Sequence, residues 1–218
     1  MGGDVLAGFE ARFLAIAGGD AEAPEGLVVM QDVMVAKGSV EVADPVHAVN
    51  KILSFENDPE LFAYATSPGL LAAVRSLSGP SIQTISTNVF NKPPEVDGRH
   101  PLHQDLRYFA LRPVEGIVGT WTAISQIDRQ NGCLAILPGS HRLGLLAHET
   151  PSWDFVNSGF QGVADLDASE RVHLEMEPGD TLLIHPLLVH GSGTNRSSAC
   201  RRAISAHYAS RQCTRSPG

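Results

Sequence analysis

Pro101-Leu102-His103-Gln104-Asp105-Leu106-Arg107-Tyr108-Phe109 places two metal-competent side chains two positions apart. Leu106, Tyr108 and Phe109 favour a strand. On a strand, residues i and i+2 share a face, so His103 and Asp105 are expected to offer an imidazole nitrogen and a carboxylate oxygen to one ion. A second histidine would complete a 2-His-1-carboxylate set, the ligand pattern of non-haem Fe(II) sites. His190, in Val189-His190-Gly191-Ser192-Gly193, is the candidate. His185 competes with it. Five positions earlier on a regular strand it would face the other way, but Pro186 breaks the regularity, so parity leaves the choice open. An isolated His-x-Asp arises by chance and usually marks a surface loop, so the rest of the chain must decide.

Around this stretch the pattern changes once. Val5, Leu6, Phe9, Phe13 and Ile16 recur at helical steps, predicting a helix over Asp4–Ala17 that Gly18-Gly19 ends. Leu27–Ala36 reads as a short strand. Asp44-Pro45, Asp58-Pro59 and Ser67-Pro68 each pair a capping side chain with a first-turn proline. They predict helices running to about Phe55, Ala65 and Leu77. After Gly79-Pro80 the strand candidates are Ile82–Asn91, His103–Leu111, Ile117–Ile127, Cys133–Leu137, Arg171–Glu177, Thr181–Val189 and Ala203–Ala209. Asn131-Gly132 and Pro178-Gly179-Asp180 are turn signals. Many short strands behind a helical preface predict a mainly β jelly roll with helices packed outside. The expected organisation is one domain over 1–218, helical to about 80 and β from about 81 to 210.

With 218 residues, 43% of them hydrophobic, the chain has material for a sizeable core. Its net charge of −8 argues against nucleic acid as a main partner, since phosphate binding needs a basic face. Cys133, Cys200 and Cys213 are few, odd in number and lack Cys-x-x-Cys spacing. That predicts a reduced compartment and no structural zinc. No apolar run is long enough to span a membrane. Neither Met1-Gly2-Gly3-Asp4 nor Arg215-Ser216-Pro217-Gly218 reads as a targeting signal.

Eleven positions past His190, Arg201 heads Arg201-Arg202-Ala203-Ile204-Ser205. A buried arginine there suits a bidentate grip on a dicarboxylate, and Ser192 offers a hydroxyl to the same group. Arg202 is expected to be a solvated surface charge. Taken with His103-Gln104-Asp105, this segment joins Asn131-Gly132-Cys133-Leu134, Leu137-Pro138-Gly139-Ser140-His141, Gly179-Asp180-Thr181 and His185-Pro186-Leu187-Leu188-Val189-His190-Gly191-Ser192-Gly193. Together, in order and spacing, they resemble the phytanoyl-CoA dioxygenase family over about 9–210. Asn91-Lys92-Pro93-Pro94, Arg99-His100-Pro101-Leu102 and Arg171-Val172-His173-Leu174 add to the match.

The resemblance implies a double-stranded β-helix of the jelly-roll, cupin-like type carrying Fe(II) and 2-oxoglutarate. In that family His103, Asp105 and His190 fall on the iron ligands. Arg201 and Ser192 fall on the cosubstrate carboxylate site, and Lys51, Trp121 and Asn88 on pocket positions. The implied reaction is 2-hydroxylation of a 3-methyl-branched acyl-CoA with O₂, ascorbate keeping the iron reduced. Asp105 favours hydroxylation over halogenation, because related halogenases lack that carboxylate. The implied compartment is the peroxisome in a eukaryote and the cytoplasm otherwise. The family pattern extends beyond both ends of this chain, which is therefore expected to be a shortened form. Alternatives are the same chemistry on another lipid or small molecule, and a non-catalytic product. His100, His141, His173 and His207 are read as structural or surface residues, Gln104 as without a role, and Cys133 as a small buried apolar group.

Overall fold

The computed structural model describes residues 1–216; Pro217 and Gly218 of the C-terminal tetrapeptide lie outside the described residues. Its main strands are β1 (Val28–Gln31), β2 (Val49–Leu53), β3 (Ile82–Lys92), β4 (His100–His103), β5 (Ile117–Ala123), β6 (Leu134–Ile136), β7 (Val172–Leu174), β8 (Thr181–Ile184), β9 (His190–Ser192) and β10 (Arg201–Ser210). The α-helices are α1 (Gly3–Gly18), α2 (Val33–Ala36), α3 (Pro59–Ala65) and α4 (Pro68–Ser78). A six-stranded sheet runs β1-β2-β3-β10-β5-β8 and a four-stranded sheet runs β7-β6-β9-β4. All their pairings are antiparallel. The architecture is the double-stranded β-helix with helices outside. No helix among the described residues is long and apolar enough to cross a membrane.

The period-2 alternation of β10 separates the layers. Ile204, Ala206 and Tyr208 pack with Phe9 and Phe13 of α1, Tyr64 of α3 and Val74 of α4 in the main core. Ala203, on the opposite face, packs with Trp121, Cys133, Leu134 and Ile184 from both sheets. Polar atoms fasten the helical layer. The Tyr64 hydroxyl meets Thr120 and Thr122 of β5 at 3.1 and 2.9 Å. The Tyr208 hydroxyl donates to the Ala65 carbonyl at the end of α3. Arg202 is not a solvated charge. It bonds Glu10 of α1 and Asn91 of β3 and lies over the Phe13 ring, tying helix to sheet.

Two of the three Asp/Ser-Pro signals begin α-helices as expected, α3 and α4. The third does not. Asp44 caps Val46, but only a 3₁₀ turn over Pro45–Ala48 forms before β2. Val49, Ile52 and Leu53 suit a strand. Pairing with β1 and β3 supplies their backbone bonds, while Asn91 donates to the Val46 and Val49 carbonyls. Sheet context thus overrides the local cap, and Lys51 sits on a strand. The Leu27–Ala36 strand likewise shortens to β1, because Asp32 caps α2 by accepting from Met34.

Asp58 joins these layers at one buried point. It caps α3 through the Leu61 N–H at 3.0 Å and pairs with Arg12 of α1 at 2.7 Å. Its replacement removes a cap and leaves a partly covered guanidinium unpaired. Asp58→Ala should lower unfolding free energy by about 2–3 kcal/mol in urea denaturation. Asp58→Asn, which keeps the capping oxygen, should lose less.

Candidate active site

His190 and His103 stand opposite one another in the β9–β4 pairing. Their strands approach closely because residue 191 is glycine: a Cβ there would lie 2.8 Å from the His100 and Pro101 carbonyl oxygens. The expected continuous strand through Asp105 is not found. β4 stops at His103, and Asp105 opens a 3₁₀ turn over Asp105–Tyr108. Gln104 keeps an extended backbone just before the turn, and its side chain is not without a role. Fully buried, it donates to the Gly144 and Leu187 carbonyls at 2.8 and 2.7 Å and accepts from the Leu146 N–H at 2.8 Å. The Leu106 N–H then donates to the Pro186 carbonyl. These bonds anchor the turn to both neighbouring loops and bring Asp105 round to the two histidines.

The ligand atoms of His103, Asp105 and His190 all lie within 4.8 Å of one another, and all three residues are buried. Asp105 Oδ1 is 3.3 Å from His103 Nε2 and 3.6 Å from His190 Nε2. His103 Nδ1 lies 2.9 Å from the Pro101 carbonyl and His190 Nδ1 3.0 Å from the Leu188 carbonyl. A carbonyl only accepts, so each Nδ1 carries a proton, and Nε2 is the atom that each ring turns toward Asp105 with a lone pair for a metal. Burial holds the His190 pKa down, against the pull of Asp105. Burial alone would raise the Asp105 pKa, but the surrounding imidazoles, His190 and His207 first, outweigh it and hold the carboxyl well below its ordinary value. Two lone pairs and a carboxylate oxygen therefore converge on one point. The donor set and its spacing fit an octahedral divalent ion, whose ligands at ~2.1 Å stand about 3 Å apart. His185 is elsewhere: its ring pairs with His141 and accepts from the Leu187 N–H. The break at Pro186, after which β9 begins afresh at His190, separates the two histidines.

Beside the triad is a cavity of about 360 Å³ that includes Lys51, Asn88, Trp121, Ser192 and Arg201 in its lining. Arg201 is 2% exposed. Its Nη2 donates to the Gly132 carbonyl at 2.8 Å, and its guanidinium lies 5.4 Å from the Trp121 ring centre. Its Nε is buried with no partner, and no carboxylate lies within ion-pair distance among the described residues. Burial lowers its pKa to about 10, so it remains a cation at neutral pH. An uncompensated buried cation beside a cavity fits an anionic ligand. Lys51, on the inward face of β2, stands 4.9 Å from the Phe160 ring centre, and burial brings its pKa to about 8. The Asn88 side chain reaches Ser86 and, at 3.5 Å, Ser205.

Sequence reasoning missed three participants. Lys92 stands opposite Arg201 in the β3–β10 register. It donates to the Gly98 carbonyl at 2.6 Å, the Ser192 hydroxyl at 3.0 Å and the Gly193 carbonyl. It thereby occupies a lone pair of Ser192 and leaves that hydroxyl's proton free to donate. His100 is no surface residue: it lies in a stack between His103 and Phe160, at 4.3 and 3.9 Å between ring centres. Burial, reinforced by His103, holds its pKa well down. His207 bonds Asp105 Oδ2 at 3.0 Å. Strand parity from Arg201 through Ala203 and Ser205 places His207 on the inward face, a signal available in the sequence. Cys133 is buried, as expected of a small apolar group.

A family model described as Phytanoyl-CoA dioxygenase (PhyH) matches residues 6–203. The "Probable phytanoyl-CoA dioxygenase" of Caenorhabditis elegans is 45% identical over 209 residues, covering 92% of this chain and 66% of its own. "Phytanoyl-CoA dioxygenase, peroxisomal" of Homo sapiens is 47% identical over 195 residues, covering 87% of this chain and 57% of its own. The chain thus spans less than two thirds of the length of these curated relatives. Among solved structures, the epimerase SnoN in complex with Fe3+, alpha ketoglutarate and nogalamycin RO superposes with a TM-score of 0.68. The match covers 98% of this chain and 77% of SnoN at 20% identity. AviO1 from Streptomyces viridochromogenes gives a TM-score of 0.68 at 17% identity, over 100% of this chain and 89% of its own. At such identities these two speak for the fold.

The depressed pKa of Lys51 has a measurable consequence. A base whose folded pKa falls from 10.5 to about 8 costs stability while it is charged. The cost is full below pH 8 and disappears as pH rises through 10.5. Lys51→Met should therefore be more stable than the wild type at pH 7 by about 1–3 kcal/mol, allowing for the lost contact with Phe160. The gap should close by about pH 10.5 in urea denaturation across pH.

Proposed function

The chain belongs to the phytanoyl-CoA dioxygenase family, and from that premise we propose that it is an Fe(II)- and 2-oxoglutarate-dependent dioxygenase. Its proposed reaction is hydroxylation of the 2-position of a 3-methyl-branched fatty acyl-CoA such as phytanoyl-CoA. The observation that carries this reading is the convergence of the two Nε2 lone pairs and the Asp105 carboxylate. On it, His103, Asp105 and His190 would hold Fe(II). When bound, iron and 2-oxoglutarate supply the oxidation: 2-oxoglutarate and O₂ yield succinate and CO₂, and the second oxygen atom enters the substrate as hydroxyl. Ascorbate is the proposed supporting reductant.

The chain's own residues bind, orient and exclude water. Arg201 would grip the far carboxylate of 2-oxoglutarate with its free guanidinium edge, and Ser192 would donate its hydroxyl to the same group. Trp121 backs the guanidinium and limits the position that the dicarboxylate takes. Lys51 adds positive charge within the cavity, and Asn88 an amide on the same wall. Burial of the triad removes water from the ligand atoms, strengthening each charge interaction there. His103 and His190 keep their Nδ1 protons on backbone carbonyls, so neither ring turns away. The proposed unit is a single catalytic domain over 1–218, and the peroxisomal labels on its relatives support that compartment as its setting.

Anaerobic titration of the purified chain with Fe(II) and 2-oxoglutarate tests the reading. A weak visible charge-transfer band should appear in the wild type and be lost in Arg201→Ala. Turnover with branched acyl-CoA thioesters, and not with the free acids, should then consume 2-oxoglutarate in step with 2-hydroxy product. Folded protein without the band would overturn the cofactor assignment. A band with turnover only on another small molecule would overturn the substrate.

A further inference from the structure

Among the described residues, His207 has one polar side-chain partner, Asp105. The two carboxylate oxygens of Asp105 are thereby divided. Oδ1 faces the Nε2 atoms of His103 and His190, and Oδ2 receives His207 Nε2 at 3.0 Å. The imidazole is held in place by packing. His207 is paired with Gly119 across β10 and β5, and a Cβ at residue 119 would lie 3.0 Å from its ring. Phe109 closes the other flank, with ring centres 5.0 Å apart. The second nitrogen, Nδ1, is buried without a partner among the described residues.

That orphaned atom is informative. Burying an unsatisfied ring nitrogen costs free energy, and an apolar side chain would fill the same slot without the cost. Among the described residues, the ring's one polar return is the bond to Oδ2. A carboxylate oxygen is an acceptor, so His207 donates from Nε2. A free carboxylate can rotate about its Cβ–Cγ bond, or turn both oxygens toward a cation. One oxygen engaged by a packed imidazole cannot. Outer partners of this kind typically change metal affinity ten- to a hundredfold.

Resting on the metal reading above, we infer that His207 is the positioning residue for Asp105. It engages Oδ2 so that Oδ1 alone faces His103 and His190, and in this way sets the affinity of the site for a divalent cation.

The test uses the purified full chain and Co(II) as probe, read by its visible d–d absorption and by competition with a chelator. His207→Leu removes the donor, while His207→Gln restores one on a side chain of similar reach. His207→Leu should weaken Co(II) binding about ten- to a hundredfold and alter the d–d spectrum. His207→Gln should return to within about threefold of the wild type. Equal affinity for wild type and the leucine variant would overturn the inference. Equal weakness of both variants would also overturn it, since that is what lost ring packing predicts. If the leucine variant does not fold, His207→Phe takes its place. Independently of any variant, the ring nitrogens of zinc-loaded wild type should show His207 protonated at Nε2, and an Nδ1-protonated ring would overturn the assignment. Wild type that binds neither Co(II) nor Fe(II) would overturn the metal reading and this inference with it. Wild type that binds while His207→Leu binds equally overturns this inference alone.

Discussion

The antiparallel register that sets His190 against His103 is the constraint on which the site depends. Side chains on a strand alternate strictly, so a slip of one residue in β9 would send His190 and Ser192 to the outer face and bring Gly191 inward. The register is held from the back. The backbone of Gly191 packs against the carbonyls of His100 and Pro101, where no side chain fits. β6 pairs with β9 on its other edge. A metal ligand, its facing histidine and the hydroxyl two residues on are thereby specified by one stretch of backbone pairing.

The long strand β10 performs the corresponding task for the six-stranded sheet. One face, through Ile204, Ala206 and Tyr208, belongs to the core beneath the helices. The other carries Arg201, Ser205 and His207 to the cavity, with Ala203 in the core between the sheets. Stability and chemistry are therefore built on alternate residues of one segment, and helix packing on the outside fixes the inner face. Arg202 is the case in point, since its bonds to Glu10 and Asn91 clamp the strand one residue after the cavity arginine.

The cavity gathers groups that a core would exclude. Arg201 and Lys92 oppose each other across adjacent strands, and burial, reinforced by Arg201, holds the Lys92 pKa well below its ordinary value. The Lys92 nitrogen has three partners within the protein; Arg201 retains an Nε without a partner among the described residues. The asymmetry separates a structural amine from a cation with bonding capacity to spare. The same contrast distinguishes the triad histidines, whose Nδ1 atoms are committed to carbonyls, from their open Nε2 atoms.

How much of this was legible depended on whether the information was local. Helical periodicity in Val5–Ile16, the Pro-initiated starts of α3 and α4 and the strand-rich second half read correctly, because caps, apolar spacing and β-branched residues act within a few positions. The residue types around His103 and Asp105 offered a candidate pair and left the second histidine open between His185 and His190; the family resemblance favoured His190, and folding gathers the three ligand atoms within 4.8 Å. Tertiary structure decided the rest. Asp44-Pro45 announced a helix, but β1 and β3 drew the following residues into a strand and carried Lys51 inward with them. His103 and Asp105 were expected on one strand. The strand ends at His103, and the carboxylate arrives from the first residue of a turn that the buried Gln104 side chain anchors. The choice of His190 over His185 turned on the break at Pro186, and the roles of Lys92, His100 and His207 on partners far along the chain. Strand parity could place His207 on the inward face, but a buried imidazole or amine acquires its role only from the groups that folding sets against it.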